Sequence, residues 1–288
     1  MAASPGFTLA LSGGGAKCAA QAGALEVLRQ AGRPPHAVVG VSAGGLVAVL
    51  YGLGWEPPAI RDYIAGVHLL DLWDFDPGRR ALLGLERFKA RLTAAVADQT
   101  FADLALPVTL VAVDLAAGRE VTLDSGRLDE ALAATMAMPG LLPPVVRAGR
   151  QLVDGGVANP LPVDVARRAD LPVVAIDVAG TPYLSGDAPP PEPGPLLETH
   201  GPLGVVAHLG GRVGLLGLLE VVNQALLITT GRLRDYNLLA HPPDVLIRPA
   251  VDQVGLFASD LAGDAYLAGQ AAAQAALPQL NALAPSLA

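Results

Sequence analysis

Two apolar runs near the N-terminus, residues 7–11 and 37–41, each end in a glycine-bounded turn and pass straight into a segment of helical periodicity. In the first helical segment, residues 16–30, Ala20, Ala24, Val27 and Leu28 recur on one face and Gly32 follows as a stop. The second segment spans residues 43–53. A strand–turn–helix unit repeated in this way predicts an α/β fold, with a mainly parallel sheet and helices on its faces. Further strands are expected at 108–113, 120–123, 151–153, 173–178 and 245–248. Helices are expected at 128–137 and 163–169, in an apolar segment ending near 233, and from about 259 onward. The order suggests one domain over residues 1–288. Its core runs from about 7 to 270, and an Ala-rich helix or tail fills 270–288. The only interruption is a proline-rich stretch, 181–202, with seven prolines, which reads as an extended loop.

With 52% hydrophobic and 16% charged residues, the chain can bury a large core. A formal charge of −8 and the absence of a long Lys/Arg run argue against a nucleic-acid partner. The single cysteine, Cys18, excludes an intrachain disulfide and a Cys-rich metal site. The N-terminus lacks the basic and apolar blocks of a secretion signal, which points to a cytoplasmic protein. The most apolar long window, residues 213–230, carries Glu220, Asn223 and Gln224 in its middle. That argues against a membrane span and for a buried or interfacial helix, with core packing the plainer reading. Residues 56–100 read as helical. Arg79, Arg80, Arg87, Lys89 and Arg91 surround a face made of Leu85, Phe88 and Leu92. The plain reading is a solvated helix over the core; the sharper one is contact with anionic lipid headgroups.

Three glycine-centred motifs carry the chemistry. Gly40-Val41-Ser42-Ala43-Gly44 places a serine between two glycines at a strand-to-helix turn, where an ester carbonyl can approach its hydroxyl. Ser12-Gly13-Gly14-Gly15-Ala16-Lys17 offers a row of backbone N–H groups at a helix start. It approaches a dinucleotide fingerprint, but Cys18 stands where the third glycine belongs, and no acidic residue ends the second strand. Stabilisation of a transient oxyanion fits these N–H groups better. Asp154-Gly155-Gly156 supplies a carboxylate, although Asp-Gly is also an ordinary turn pair. A serine needs a base, and none of His36, His68, His200, His208 or His241 has a recognisable triad setting. If no histidine serves, Asp154 is the base, and partial burial would have to raise its basicity.

Together and in this order, the three motifs resemble the signatures of the patatin-like phospholipase family. Ala112-Val113-Asp114-Leu115, Met138-Pro139-Gly140, Pro143-Pro144-Val145 and Asn159-Pro160-Leu161-Pro162 extend the likeness from about residue 7 to about 178. The resemblance implies a three-layer α/β/α sandwich and a Ser–Asp dyad, with Ser42 as nucleophile and Asp154 as base. It also implies an oxyanion hole from Gly13, Gly14 and Gly15, with Lys17 as the loop's basic residue and Gly40, Gly44, Gly155 and Gly156 in support. The implied activity is hydrolysis of lipid acyl esters through an acyl-enzyme, without metal or cofactor. One departure stands out: the family usually has glycine directly after the basic residue, where this chain has Cys18. Two other functions stay open. One is an α/β-hydrolase esterase with a Ser-His-Asp triad; the other is a non-catalytic member that binds lipid or protein through the same site. One or both of the apolar stretch 203–228 and the basic helix are expected to flank the site mouth and meet a membrane surface.

Overall fold

The computed structural model describes residues 6–68, 85–180 and 213–283. Strand β1 (Thr8–Leu11) lies at the centre, between β2 (Ala37–Val41) and β7 (Val173–Ile176), both parallel to it. Beyond β2 comes β3 (Val108–Asp114), and beyond β7 comes β8 (Val245–Ile247), again in parallel. Three antiparallel strands, β4 (Arg119–Leu123), β5 (Val145–Arg147) and β6 (Arg150–Asp154), complete the β3 end. The path is β5-β6-β3-β2-β1-β7-β8, with β4 on the other edge of β3. The sheet is thus mainly parallel, as its strand–turn–helix beginning suggests. β5 has no counterpart among the expected strands.

The helices are α1 (Ala19–Gln30), α2 (Ala43–Gly52), α3 (Pro57–Ala65), α4 (Leu85–Val96), α5 (Leu128–Thr135), α6 (Val163–Ala166), α7 (Val213–Ala240) and α8 (Ala262–Ala282). They form two layers, and alternation along the strands assigns the faces. Leu9 and Leu11 of β1 pack into a core shared with α1–α5 and α8. Ala10, Val39, Val41 and Val111 point to the opposite face, where Val163, Val165 and Ala166 of α6 and Leu238 of α7 cover them. The α/β/α sandwich follows. Burial on both faces also explains why β1 and β2 read as continuous apolar runs.

Helices α1 and α8 cross with their backbones in contact. A Cβ on Gly23 would lie 2.0 Å from the Tyr266 carbonyl oxygen, and one on Gly269 would lie 1.8 Å from that of Ala20. No residue but glycine fits at either position. The Tyr266 hydroxyl donates to Glu26 Oε2 at 2.6 Å across the same crossing. Ala273, Ala276 and Leu280 are buried, so packing continues past the core limit near residue 270.

In α4, Phe88, Leu92 and Val96 face the core while Arg87 is exposed, as expected of a solvated helix. Arg91 is used within the fold: it donates to the Gly66 carbonyl and stacks over the Tyr63 ring at 5.4 Å. Helix α7 departs from the expectation of core packing. Val221, Val222, Leu227 and Ile228 are exposed; among its described residues Gly231, Arg234 and Asp235 are buried, and Leu238 packs against the second core. Average hydropathy gives no sign of the buried Arg234–Asp235 pair on this helix. Among the described residues no helix is long and apolar enough to cross a membrane. Arg79, Arg80, His200, His208, the proline-rich stretch 181–202 and residues 203–212 lie outside the described residues.

Candidate active site

Strand β3 brings the serine and the aspartate together. Along one edge of β3, residues 108–111 pair with β2 in parallel, and residues 112–114 pair with β6 in antiparallel. The two strands therefore meet end to end, each running toward the junction. Val41 pairs with Val111, and Asp154 pairs with the next residue, Ala112. Ser42, one residue beyond the end of β2, lands against Asp154. Its Oγ donates to Asp154 Oδ2 at 2.6 Å across a sequence separation of 112 residues.

Ser42 adopts φ 54° and ψ −130°, a strained conformation for a residue with a side chain. Glycines make the turn sterically feasible. A Cβ on Gly44 would lie 2.3 Å from the Ser12 carbonyl oxygen, and one on Gly40 would lie 2.7 Å from that of Gly44. The Ser42 N–H donates to Thr135 Oγ1 at 3.0 Å, and this buried hydroxyl donates onward to the Val111 carbonyl at 2.5 Å. Thr135 thereby ties the turn to α5 and β3. Nothing in the spacing of the helix singles it out.

Asp154 is 5% exposed. Its Oδ1 accepts the Gly156 N–H at 2.7 Å, and its own N–H donates to the Ala137 carbonyl at 2.9 Å. Burial disfavours the charged carboxylate and raises its pKa to about 6, while the bonds from Ser42 and Gly156 oppose the rise. Gly155 leaves room for the approach of β3, since a Cβ there would lie 2.2 Å from the Val111 carbonyl oxygen.

The glycine loop adjoins Ser42: a Cβ on Gly13 would lie 3.3 Å from that of Ser42. The three glycines differ in role. The Gly13 N–H donates to the Pro160 carbonyl at 3.1 Å, whereas no acceptor for the Gly14 or Gly15 N–H is found among the described residues. Gly15 sits at φ 57°, where a Cβ would lie 2.1 Å from the Leu256 carbonyl oxygen. The base of the loop is held through Ser12, whose carbonyl accepts from Gln21 Nε2 at 2.8 Å. Ser12 Oγ accepts the Val178 N–H at 2.9 Å. Cys18 is fully buried with its thiol directed at the Ser12 carbonyl, and burial pushes that thiol well above its ordinary range. It packs beneath the loop as an unreactive group. Burial also holds the Lys17 ammonium below its ordinary value, with Asp252 opposing the shift.

No histidine among the described residues bonds to Ser42 or Asp154. His68 Nδ1 lies 3.4 Å from Ser259 Oγ, and His36 and His241 are exposed. The family model for patatin-like phospholipase matches residues 9–167, which include the glycine loop, Ser42 and Asp154. The chain belongs to the patatin-like phospholipase family. Two uncharacterized NTE family proteins of Mycobacterium tuberculosis are similar to it. One is 32% identical over 56% of this chain and 45% of its own length; the other is 29% identical over 93% and 46%. The patatin-like phospholipase domain-containing protein 7 of Mus musculus is 30% identical over 60% of this chain and 13% of its own length. This patatin-like chain spans about half the length of the mycobacterial relatives it matches.

Proposed function

We propose that this protein is a serine hydrolase of lipid acyl esters that works through a Ser42–Asp154 dyad. The observation that carries the reading is the 2.6 Å bond from Ser42 Oγ to a buried carboxylate. As the ester carbonyl approaches, Ser42 Oγ attacks its carbon and Asp154 accepts the hydroxyl proton. A carboxylate with a pKa of about 6 is a better base than an ordinary aspartate, yet is still mostly ionised at neutral pH. Negative charge then develops on the former carbonyl oxygen. The Gly14 and Gly15 N–H groups are its donors, while Gly13, bonded to Pro160, fixes the loop. Collapse of the tetrahedral species returns the proton from Asp154 to the departing alcohol and leaves an acyl-serine. Water enters, gives its proton to Asp154 and attacks the acyl carbon, and the fatty acid departs as Ser42 Oγ recovers the proton.

The substrates are phospholipid, lysophospholipid or related glycerolipid esters. Peripheral contact with a lipid surface belongs to the same reading, through the exposed Val221, Val222, Leu227 and Ile228 of α7. Flotation with neutral and anionic liposomes tests that contact, and absence of binding to both rejects it. The deciding experiment for the chemistry is an acyl-ester chain-length series on wild type, Ser42→Ala and Asp154→Asn. Loss of turnover in both variants, with full activity after replacement of all five histidines, supports the dyad. Retained activity in Ser42→Ala rejects it.

A further inference from the structure

Next to the glycine loop lies a group of charges that the dyad does not use, with Arg234, Asp235 and Asp177 buried at its centre. Arg234 of α7 is 0% exposed. Its Nε and one terminal nitrogen donate to Asp235 Oδ1 at 3.0 and 2.8 Å. The other terminal nitrogen donates to the Gly180 carbonyl at 3.1 Å and lies 3.5 Å from Asp177 Oδ1. Arg248 Nε donates to Asp177 Oδ2 at 3.2 Å. A desolvated guanidinium is tolerated only where its donors are matched by acceptors in fixed positions. Arg234 therefore requires residues 177–180 to hold one conformation, and they require it in return.

Residues 177–180 bear directly on the glycine loop. The Val178 N–H donates to Ser12 Oγ, and the Ser12 N–H donates to the Ile176 carbonyl at 3.2 Å. The Val178 side chain fills the space over Gly14, since a Cβ there would lie 2.8 Å from Val178 Cγ2. Gly180 closes the arrangement: a Cβ on it would lie 3.0 Å from Asp252 Oδ1 and 3.9 Å from Lys17 Nζ. The buried Arg234, Asp235 and Asp177 are flanked by the exposed Arg248 and Asp252 and the part-buried Lys17, three cations against three carboxylates beside the loop. The balance matters because a net negative charge here would oppose an oxyanion forming at Gly14 and Gly15.

We infer that Arg234 is a positioning residue for the glycine loop: from α7 it fixes residues 177–180, and they fix Ser12 and Gly14. The inference rests on the reading of that loop as the oxyanion hole. Its effect on catalysis is on the transition state, so turnover responds and ground-state binding does not.

The test compares Arg234→Met, Arg234→Lys and Asp177→Asn with wild type. Titration of Ser42 with a fluorophosphonate counts competent sites, so misfolded protein does not enter the rates. Arg234→Met is expected to lower kcat per titrated site roughly 10–100-fold on a soluble short-chain ester, with KM changed less than about twofold. Arg234→Lys, which keeps the charge and loses the fork, recovers part of the rate. Asp177→Asn, which keeps an acceptor in place, shows the same pattern and stands in if Arg234→Met does not fold. Amide hydrogen exchange supplies a reading that needs no turnover: segments 12–17 and 177–180 exchange faster in the variants. An unchanged kcat per titrated site, or faster exchange confined to α7, overturns the inference. A wild type whose turnover survives Ser42→Ala sinks the hydrolase reading instead, and the exchange result still decides the role of Arg234.

Discussion

Asp154→Asn is expected to stabilise the protein while removing its turnover. The carboxylate ordinarily titrates near 3.8, and burial raises it to about 6 in the folded chain. Between these values the folded state binds more protons than the unfolded state, so stability falls as pH rises through that window. The penalty is absent below about pH 4 and complete above about pH 7. A shift of about 2 units corresponds to about 3 kcal/mol of strain from ionising this buried group. Asparagine is nearly the same shape: its carbonyl can accept the Gly156 N–H, and it carries no charge to desolvate. Urea unfolding of wild type and Asp154→Asn at pH 4, 5.5 and 7.5 measures the effect. The variant should gain little at pH 4 and between about 1 and 3 kcal/mol at pH 7.5, the lower figure allowing for weaker hydrogen bonds to a neutral partner. A gap that does not grow with pH, or a variant less stable than wild type at pH 7.5, refutes the account of Asp154 as a strained base.

Other consequences can be measured independently. The wild-type kcat/KM should rise with pH through an apparent pKa near 6 and then level off, dropping roughly tenfold at pH 5, because only the ionised Asp154 accepts the Ser42 proton. Thr135→Val leaves the Ser42 N–H without its acceptor and should cost about 1–3 kcal/mol in urea unfolding and roughly 10–100-fold in kcat, whereas Thr135→Ser retains most of both. Cys18→Ala should keep kcat within about twofold, and the native wild-type thiol should resist a disulfide reagent until urea unfolds the chain, since the thiol is fully buried.

Much of the fold can be read locally in the sequence. The runs that become β1 and β2 are apolar throughout because helices cover both faces, and the glycines that end them are required by close backbone approaches. The serine is legible for the same reason, since the features that expose it are its immediate neighbours. Asp154 stands out in the sequence only as a turn carboxylate left by elimination of the histidines, because its meeting with Ser42 depends on pairing through β3. Thr135 was not legible at all: its role arises from a distant N–H that happens to face its hydroxyl. The sequence groups Gly13, Gly14 and Gly15 as one loop, and only the fold distinguishes them, since the Pro160 carbonyl accepts the Gly13 N–H. β5 is three residues long and follows two prolines, too short for any periodicity to appear. In α7 average hydropathy misled, because its described buried face combines the Arg234 and Asp235 ion pair with Leu238 while Val221, Val222, Leu227 and Ile228 stay exposed.

The end-to-end meeting of β2 and β6 on one edge of β3 also governs when the Ser42–Asp154 pair can form. During synthesis Ser42 is complete long before Asp154 exists, and for that interval the hydroxyl has no carboxylate beside it. Docking of β6 supplies one, and only in a single register. A slip by one residue would turn the carboxylate to the opposite face of the sheet and bring Val153 or Gly155 to the serine. The bond between the two residues is therefore a checkpoint on assembly: a chain in which Ser42 meets Asp154 is a chain whose sheet has closed correctly.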